Sequence, residues 1–210
     1  MVEFRRTPNL LQNLFSKITW KHSAEEILLT FDDGPDSKWT IKIAKLLNDN
    51  GLKGLFFVIG DHIKDKGIIS ELSSMGHIIG WHSEHHTSFF KCSENQIISE
   101  LEGKKRIEDL LSQKIDYFRF PYGHFFPWQI NHVFQQDLIP IMWTYMVHDY
   151  KPKSTELLQT QLSSLKKNDI LLYHDKSPNM DKSFNALKYT IERDPTKFAT
   201  KINIAFSINT

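Results

Sequence analysis

Short apolar runs alternate along this chain with longer stretches whose apolar residues recur every three or four positions. Ile27 to Phe31 is the first run and reads as a buried strand, stopped abruptly by Asp32-Asp33-Gly34-Pro35. Gly54 to Ile59, His77 to Trp81, Tyr117 to Phe120, Leu138 to Trp143 and Ile170 to Tyr173 follow as further strands, with Ile202 to Ile208 a candidate last one. Between them, Ile41, Ala44, Leu46 and Leu47 predict a helix closed by Asn50-Gly51. Further helices are predicted over Lys66 to Ser74, Trp128 to Gln136, Thr155 to Leu165 and Phe184 to Glu192. Ser93 with Gln96 makes a capping box for a long helix that runs to Gln113. Strands separated by helices imply parallel pairing through crossovers, so the fold class is α/β. Seven candidate strands favour a barrel-like closure over an open sheet.

Residues 1–25 read as an N-terminal arm and residues 26–210 as one domain. Leu10, Leu11, Leu14, Phe15 and Ile18 fall at helical spacing, which suits an arm packed on the domain better than a helix lying on a membrane surface. At 210 residues, 40% of them hydrophobic, the chain is ample for one core and small for two. A net charge of +1 supplies no field that would gather nucleic acid, and no nucleic-acid partner is expected. No stretch approaches the roughly 18 apolar residues of an integral membrane segment. The absence of an unbroken apolar run after Arg5-Arg6 argues against a secretory signal and for a cytoplasmic location. Cys92, the one cysteine, cannot form an intrachain disulfide. Nothing in the pattern fixes the oligomeric state.

The reactive residues sit where the strands end. Adjacent carboxylates such as Asp32 and Asp33 repel, and a cation relieves that repulsion, one carboxylate ligating it while the other handles protons. The same four residues also serve ordinary turns. His82 and His86 are four apart, so on a helical turn both imidazoles face one side and suit two nitrogen ligands of one divalent transition metal; His82 with His85 is compatible too. Asp33 would complete a three-ligand set with an open position. Arg119 can form a bidentate pair with a carboxylate, and Pro121 fixes a loop that can aim the N–H of Tyr122 at a developing oxyanion. Asp149-Tyr150 comes shortly after the fifth strand. His174 comes directly after the sixth, where an imidazole can act as a general acid. Parallel α/β folds gather the C-terminal strand ends on one face, so these turns share one rim.

Taken in order, these residues resemble the polysaccharide deacetylase family, carbohydrate esterase family 4, also called the NodB homology domain. Thr30 to Pro35 meets the family's Thr-Phe-Asp-Asp-Gly-Pro in full, and His82, Ser83 and His86 meet its His-Ser/Thr-x-x-His, preceded by Gly76 to Gly80. Arg119 to Gly123 meets its Arg-x-Pro-Tyr-Gly, and Leu172 with His174 its final Leu-x-His. The resemblance covers about Glu26 to His174. It implies a distorted (β/α)7-type barrel, the NodB-like deacetylase fold, that removes N-acetyl groups from amino sugars with one divalent metal ion, most often zinc, with cobalt, nickel or manganese as alternatives. It implies Asp33, His82 and His86 as metal ligands, Asp32 as the base and Arg119 as its orienting partner. Pro121 and Tyr122 would contact substrate, Tyr122 through its N–H. His174 would protonate the leaving amine with Asp149 beside it, and Leu172 would line the acetyl pocket. The division of labour between Asp32 and Asp33 rests on the resemblance alone.

Two departures stand out. The family's Asp-x-x-Asp-Trp is occupied by Met146, Val147, His148, Asp149 and Tyr150, so Asp149 remains while Tyr150 stands where a substrate-facing Trp is usual. Trp81 precedes His82 where the family usually has Asn. Both bear on the wall of the substrate groove. The partner expected is an N-acetylated carbohydrate. A small-molecule amidase on the same scaffold and an inactive metal- or glycan-binding module are the competing readings.

Overall fold

Leu28–Gly34 forms the central strand, β1, buried along both faces as a continuous apolar run demands. The computed structural model describes residues 5–151, 153–202 and 204. After α1 (Asn9–Leu14) and β1 come α2 (Trp39–Asp49), β2 (Gly54–Val58), α3 (Lys66–Ser74), β3 (Ile78–Trp81), α4 (Glu94–Glu102), α5 (Lys105–Leu111), β4 (Tyr117–Phe118) and α6 (Gln129–Gln135). The chain continues through β5 (Ile139–Pro140), β6 (Tyr145–Met146), α7 (Thr155–Leu162), β7 (Ile170–His174) and α8 (Met180–Arg193). The sheet has seven strands in the order β5-β4-β3-β2-β1-β7-β6, every pairing parallel, and it curls into a half-barrel. The α/β fold class and the barrel-like closure expected from the strand–helix alternation are therefore both present. No described helix is long and apolar enough to cross a membrane.

Side-chain alternation divides the strands between two cores. Leu29, Phe31, Phe56 and Val58 face the helices and join the main cluster. Leu28, Leu55, Phe57 and Ile170 line the concave face in a smaller cluster with Ile141. Thr30 and Asp32 on β1, and Leu172 and His174 on β7, follow Leu28 and Ile170 in the same alternation. The concave face thus turns from apolar to polar as it nears the C-terminal rim.

Several elements differ from expectation for visible reasons. The helix expected from Ser93 to Gln113 is two helices, α4 and α5, although its capping box forms as read. The break falls at Gly103, where an added Cβ would lie 2.0 Å from Glu84 Oε2 and 2.8 Å from the Trp81 ring, so the chain crosses those side chains at a residue that has none. The β5 ladder is two residues long because the carbonyls beyond it go elsewhere: those of Ile141 and Met142 accept from Arg119. β6 went unread because two residues carry no periodicity. The strand expected over Ile202 to Ile208 falls mostly outside the described residues, and Ile202 and Ile204 belong to no strand.

The two edges of the half-barrel meet the N-terminal segment. At β6, Met146 N donates to Arg5 O at 2.7 Å and Thr7 N to Thr144 O at 2.9 Å. At β5, Thr19 N donates to Pro140 O and Met142 N to Thr19 O, both at 2.9 Å. Backbone groups that would otherwise be exposed edges are thereby paired. Ile18 and Trp20 enter the main core, and Arg6 makes a two-pronged pair with Asp169 at 2.6 and 2.9 Å. The six-residue helix α1 itself buries nothing.

His77, just before β3, supplies a test of packing. Its Nδ1 accepts from Gly54 N at 3.2 Å and its Nε2–H donates to Ala44 O at 3.0 Å, so the folded state needs the neutral ring. Burial pushes its pKa down to about 4, against a weaker opposing pull from the Ala44 carbonyl. Because the unfolded chain takes up that proton near pH 6.5, the contribution of His77 is full above pH 6.5 and lost as pH falls towards 4. Urea unfolding should show a His77→Gln variant losing less stability than wild type across this window, by up to roughly 3 kcal/mol. Parallel pH dependences for the two proteins would remove His77 from the account.

Candidate active site

A regular strand would send Asp32 and Asp33 to opposite faces. Here the β1–β2 register slips between Asp32 and Gly34, and Asp33 takes a left-handed backbone with φ of 74°. A bulge of this kind re-aims one side chain, and both carboxylates reach the same rim. Ser83, His86, Tyr122 and His148 are also left-handed, so five of the eight described non-glycine residues with positive φ lie in the segments around the site. Such clustering marks places where geometry is held against local preference.

Asp32 is almost fully buried and is held by Arg119, whose Nη1 donates to Asp32 Oδ1 at 2.7 Å. The same Nη1 reaches Thr30 Oγ1 at 2.7 Å, while Nε and Nη2 donate to the carbonyls of Ile141 and Met142 at 3.1 and 3.3 Å. The guanidinium lies over the Phe57 ring, 4.2 Å from its centroid, with no exposed surface. Burial draws its pKa below the usual arginine value, and Asp32 opposes that by charge and hydrogen bond.

Asp33 takes the other position. Its Oδ1 lies 3.5 Å from His82 Nε2 and 3.1 Å from His86 Nε2. The ligand atoms of Asp33, His82 and His86 all lie within 4.8 Å of one another. Burial acts to raise the Asp33 carboxyl, but His82, His86 and more distant His174 together pull it well below the usual carboxylate range. His82 Nδ1–H donates to the Arg119 carbonyl at 2.8 Å, which turns Nε2 towards Asp33 as the ring nitrogen available to a cation. One carboxylate with two imidazoles presented this way is a donor set that fits a borderline transition dication. The helical turn expected for His82 to His86 is not there. The segment is irregular, and the left-handed residues Ser83 and His86 converge the rings, with Ser83 Oγ accepting from His86 N at 3.0 Å. His85 lies apart, paired with Glu100 Oε1 at 3.0 Å.

At the end of β7, His174 stands level with Asp32 in the β1–β7 register. Its Nδ1–H donates to Asp149 Oδ1 at 2.7 Å, its backbone N to Asp149 Oδ2 at 3.0 Å, and its Nε2 lies 4.0 Å from Asp33 Oδ2. Burial acts to lower the pKa of His174, but the charge and hydrogen bond of Asp149, joined by Asp33 and Asp32, raise it to about 9. Tyr150 packs edge-on to His174 at 5.2 Å. Leu172, two residues before His174 on the same face, is buried. Pro121 begins a single 3₁₀ turn to Gly123, and the exposed Tyr122 ring lies 4.4 Å from that of His86. Trp81 is not a groove wall: it is fully buried, and its indole N–H donates to Glu100 O at 2.8 Å.

Three neighbours of the site escaped the sequence reading. Thr30 donates a hydrogen bond from its hydroxyl to Leu171 O at 2.6 Å while accepting from Arg119, which gives the motif's threonine a structural task. His62 donates from Nδ1 to the Asp33 carbonyl at 2.7 Å and braces the bulge, and nothing in the turn after β2 signals it. Asp175 lies under Gly34, where an added Cβ would sit 2.2 Å from its Oδ2; burial, with Asp33 and Asp32 nearby, raises its pKa to about 7 against the Thr40 hydrogen bond.

The sequence profile described as polysaccharide deacetylase matches residues 20–135. A peptidoglycan-N-acetylglucosamine deacetylase of Bacillus cereus is 26% identical over 190 residues, 87% of this chain and 68% of that protein. The crystal structure of a peptidoglycan N-acetylglucosamine deacetylase bound to an N-hydroxybenzamide superposes with a TM-score of 0.81 at 25% identity, covering 92% of each chain. A structure described as a carbohydrate esterase family 4 pseudoenzyme from Bacillus anthracis shares the fold, with a TM-score of 0.76 at 22% identity over 86% of this chain and 65% of that one.

The Asp32–Arg119 pair generates a stability prediction. Arg119→Met leaves a buried carboxylate without its partner and should cost roughly 3–5 kcal/mol in urea unfolding. Asp32→Asn/Arg119→Met should recover a good part of that loss, because no uncompensated charge remains. A double variant no more stable than Arg119→Met would show that the guanidinium matters here for packing and not for charge.

Proposed function

The chain belongs to the polysaccharide deacetylase family, and from that premise we propose that it is a metal-dependent hydrolase releasing acetate from an N-acetylated amino-sugar glycan or oligosaccharide. The observation that carries this reading is the convergence, on one rim, of the Asp33–His82–His86 trio with two differently prepared proton-transfer groups, Asp32 and His174. A divalent cation held by Asp33, His82 and His86, zinc or else cobalt, nickel or manganese, would polarise the amide carbonyl and acidify water. Asp32, fixed by Arg119, takes a proton from the attacking water as its oxygen bonds to the acetyl carbon. The Tyr122 N–H is assigned to the oxyanion. His174 gives its Nε2 proton to the nitrogen as the carbon–nitrogen bond breaks, and Asp149 steadies the imidazolium that does so. The products are acetate and a free amine. Leu172 is assigned to the wall of the acetyl pocket, Pro121 shapes its loop, and Tyr150 takes a place beside the sugar. The buried Asp32 carboxylate and the Asp149-backed His174 imidazole favour this reading over an inactive binding module, which would need neither.

Acetate release should be measured across N-acetylglucosamine oligomers, peptidoglycan fragments and small amides, with chelator and with defined metals. Chelation should abolish turnover, and zinc or cobalt should restore it. Asp32→Asn should bind metal normally and lose about 10²–10⁴-fold in rate. Full activity in metal-free protein would end the proposal, loss of metal from Asp32→Asn would reverse the two aspartates, and turnover of small amides alone would make the protein an amidase of another class.

The acid has its own signature. A histidine raised to about 9 is protonated at neutral pH, and rate should fall as pH climbs through its value in the enzyme. A dication on Asp33 cancels that carboxylate's share of the shift and leaves the share of Asp149 in place. Asp149→Asn should therefore move the alkaline limb of the pH–rate profile to lower pH by about one unit or more. His174→Ala should remove most turnover while metal content stays unchanged. An unmoved alkaline limb in well-folded Asp149→Asn would uncouple the pair.

A further inference from the structure

A row of aromatic rings leaves the metal-ligand trio and runs outward over the surface. The Tyr122 ring lies 4.4 Å from His86, His124 lies 5.6 Å from Tyr122, Phe90 stacks on His124 at 4.8 Å with 14° between the planes, and Phe126 follows at 4.9 Å. These rings are not core residues that happen to reach the surface. Tyr122 is 59% exposed, Phe90 43% and Phe126 45%, while their neighbours in sequence, Phe89 and Phe120, are fully buried. Contiguous exposed apolar surface is uncommon in a soluble domain and marks a place where something docks.

The row is also braced. Gln129, fully buried, donates through Nε2 to Phe89 O at 2.8 Å and accepts through Oε1 from Phe126 N at 2.8 Å, so one side chain ties the Phe90 turn to the Phe126 loop. Ser88 Oγ bonds His124 Nδ1 at 3.0 Å and fixes that ring's plane. Beneath, Phe89 packs against Phe118 and Phe120 at 5.6 and 5.3 Å, so the exposed rings rest on a rigid aromatic floor. Burial, with Lys91 nearby, lowers the pKa of His124 and so favours the uncharged ring.

We propose that Tyr122, His124, Phe90 and Phe126 form a platform for a glycan chain extending from the sugar whose acetyl group is removed. The proposal rests on the deacetylase reading and goes past it, to the surface that holds the sugars beyond the one that reacts. A pyranose ring has an apolar C–H face and a hydroxyl rim. A half-exposed aromatic face covers the first and leaves the second in water. Continuity selects the occupant, since the row begins on a ring in contact with a residue of the trio, so whatever lies along it shares a path with whatever reacts there. Preorganisation by Gln129 and Ser88 lowers the ordering cost of binding.

The test compares N-acetylglucosamine dimer and pentamer. Wild type should favour the pentamer in kcat/KM. Phe90→Ala/Phe126→Ala should lose roughly 3- to 10-fold per ring on the pentamer, mainly through KM, and change little on the dimer. Phe90→Tyr/Phe126→Tyr, which keeps both rings, should retain the preference. Calorimetric titration of pentamer into Asp32→Asn, with and without the two alanines, reads the platform without turnover. Equal losses on both lengths, no loss at all, or undetectable pentamer binding to Asp32→Asn would overturn the platform. So would a dimer in sedimentation velocity that the two alanines dissociate, since the row would then be a contact between copies of the chain. If no substrate releases acetate but pentamer binding weakens with the alanines, the deacetylase reading fails and the platform stands.

Discussion

The buried pairing of Arg119 with Asp32 is the constraint on which the rim depends. One guanidinium, cut off from water, joins β1 through Thr30 and Asp32 to the segment after β5 through the carbonyls of Ile141 and Met142. Its own backbone carbonyl fixes the tautomer of His82. A charge buried this deeply is tolerated only when it is paired and hydrogen-bonded, so its neighbours have little freedom to move. The placement of the Asp32 carboxylate and the orientation of the His82 ring thus follow from a single residue at the start of the loop after β4.

Around that anchor, two aspartates adjacent in sequence are given unlike surroundings. Asp32 faces a guanidinium and is nearly sealed from solvent, whereas Asp33 faces two imidazoles and keeps part of its surface open. The histidines divide in the same way. His82 and His86 present Nε2 towards one carboxylate, while His174 uses a different carboxylate, Asp149, behind Nδ1. Pairs of titratable groups whose environments push them apart are the usual arrangement for separating base from acid in one pocket. A stack of rings held by Gln129 then carries the chain's aromatic richness from the interior to the surface beside that pocket.

How much of this was legible depended on the scale at which it is encoded. Helix α3 has the bounds read from its periodicity, and β1, β2 and β7 follow from apolar runs, because burial on both faces leaves a strong local imprint. The ordered motifs placed Asp32, Asp33, His82, His86, Arg119 and His174 on one rim. What the sequence did not carry was backbone detail: the bulge that turns Asp33 beside Asp32, the left-handed Ser83 and His86 that replace a helical turn, and the close approach at Gly103 that divides α4 from α5. Each is decided by a contact with a residue distant in sequence, and no window of neighbours contains it. Trp81 shows the converse: it looked like a change in the groove, but it is a core anchor.

The N-terminal segment that covers both sheet edges has a consequence for how the chain reaches its folded form. Arg6 and Thr7, which precede the whole sheet, have Asp169 and Thr144 as partners, so they cannot pair until the chain has been made past Asp169. Until then the margins at β5 and β6 stand open to strands of other molecules. Contacts spanning 163 positions are slow to form, so this seam between the segment before β1 and the turn before β7 closes late.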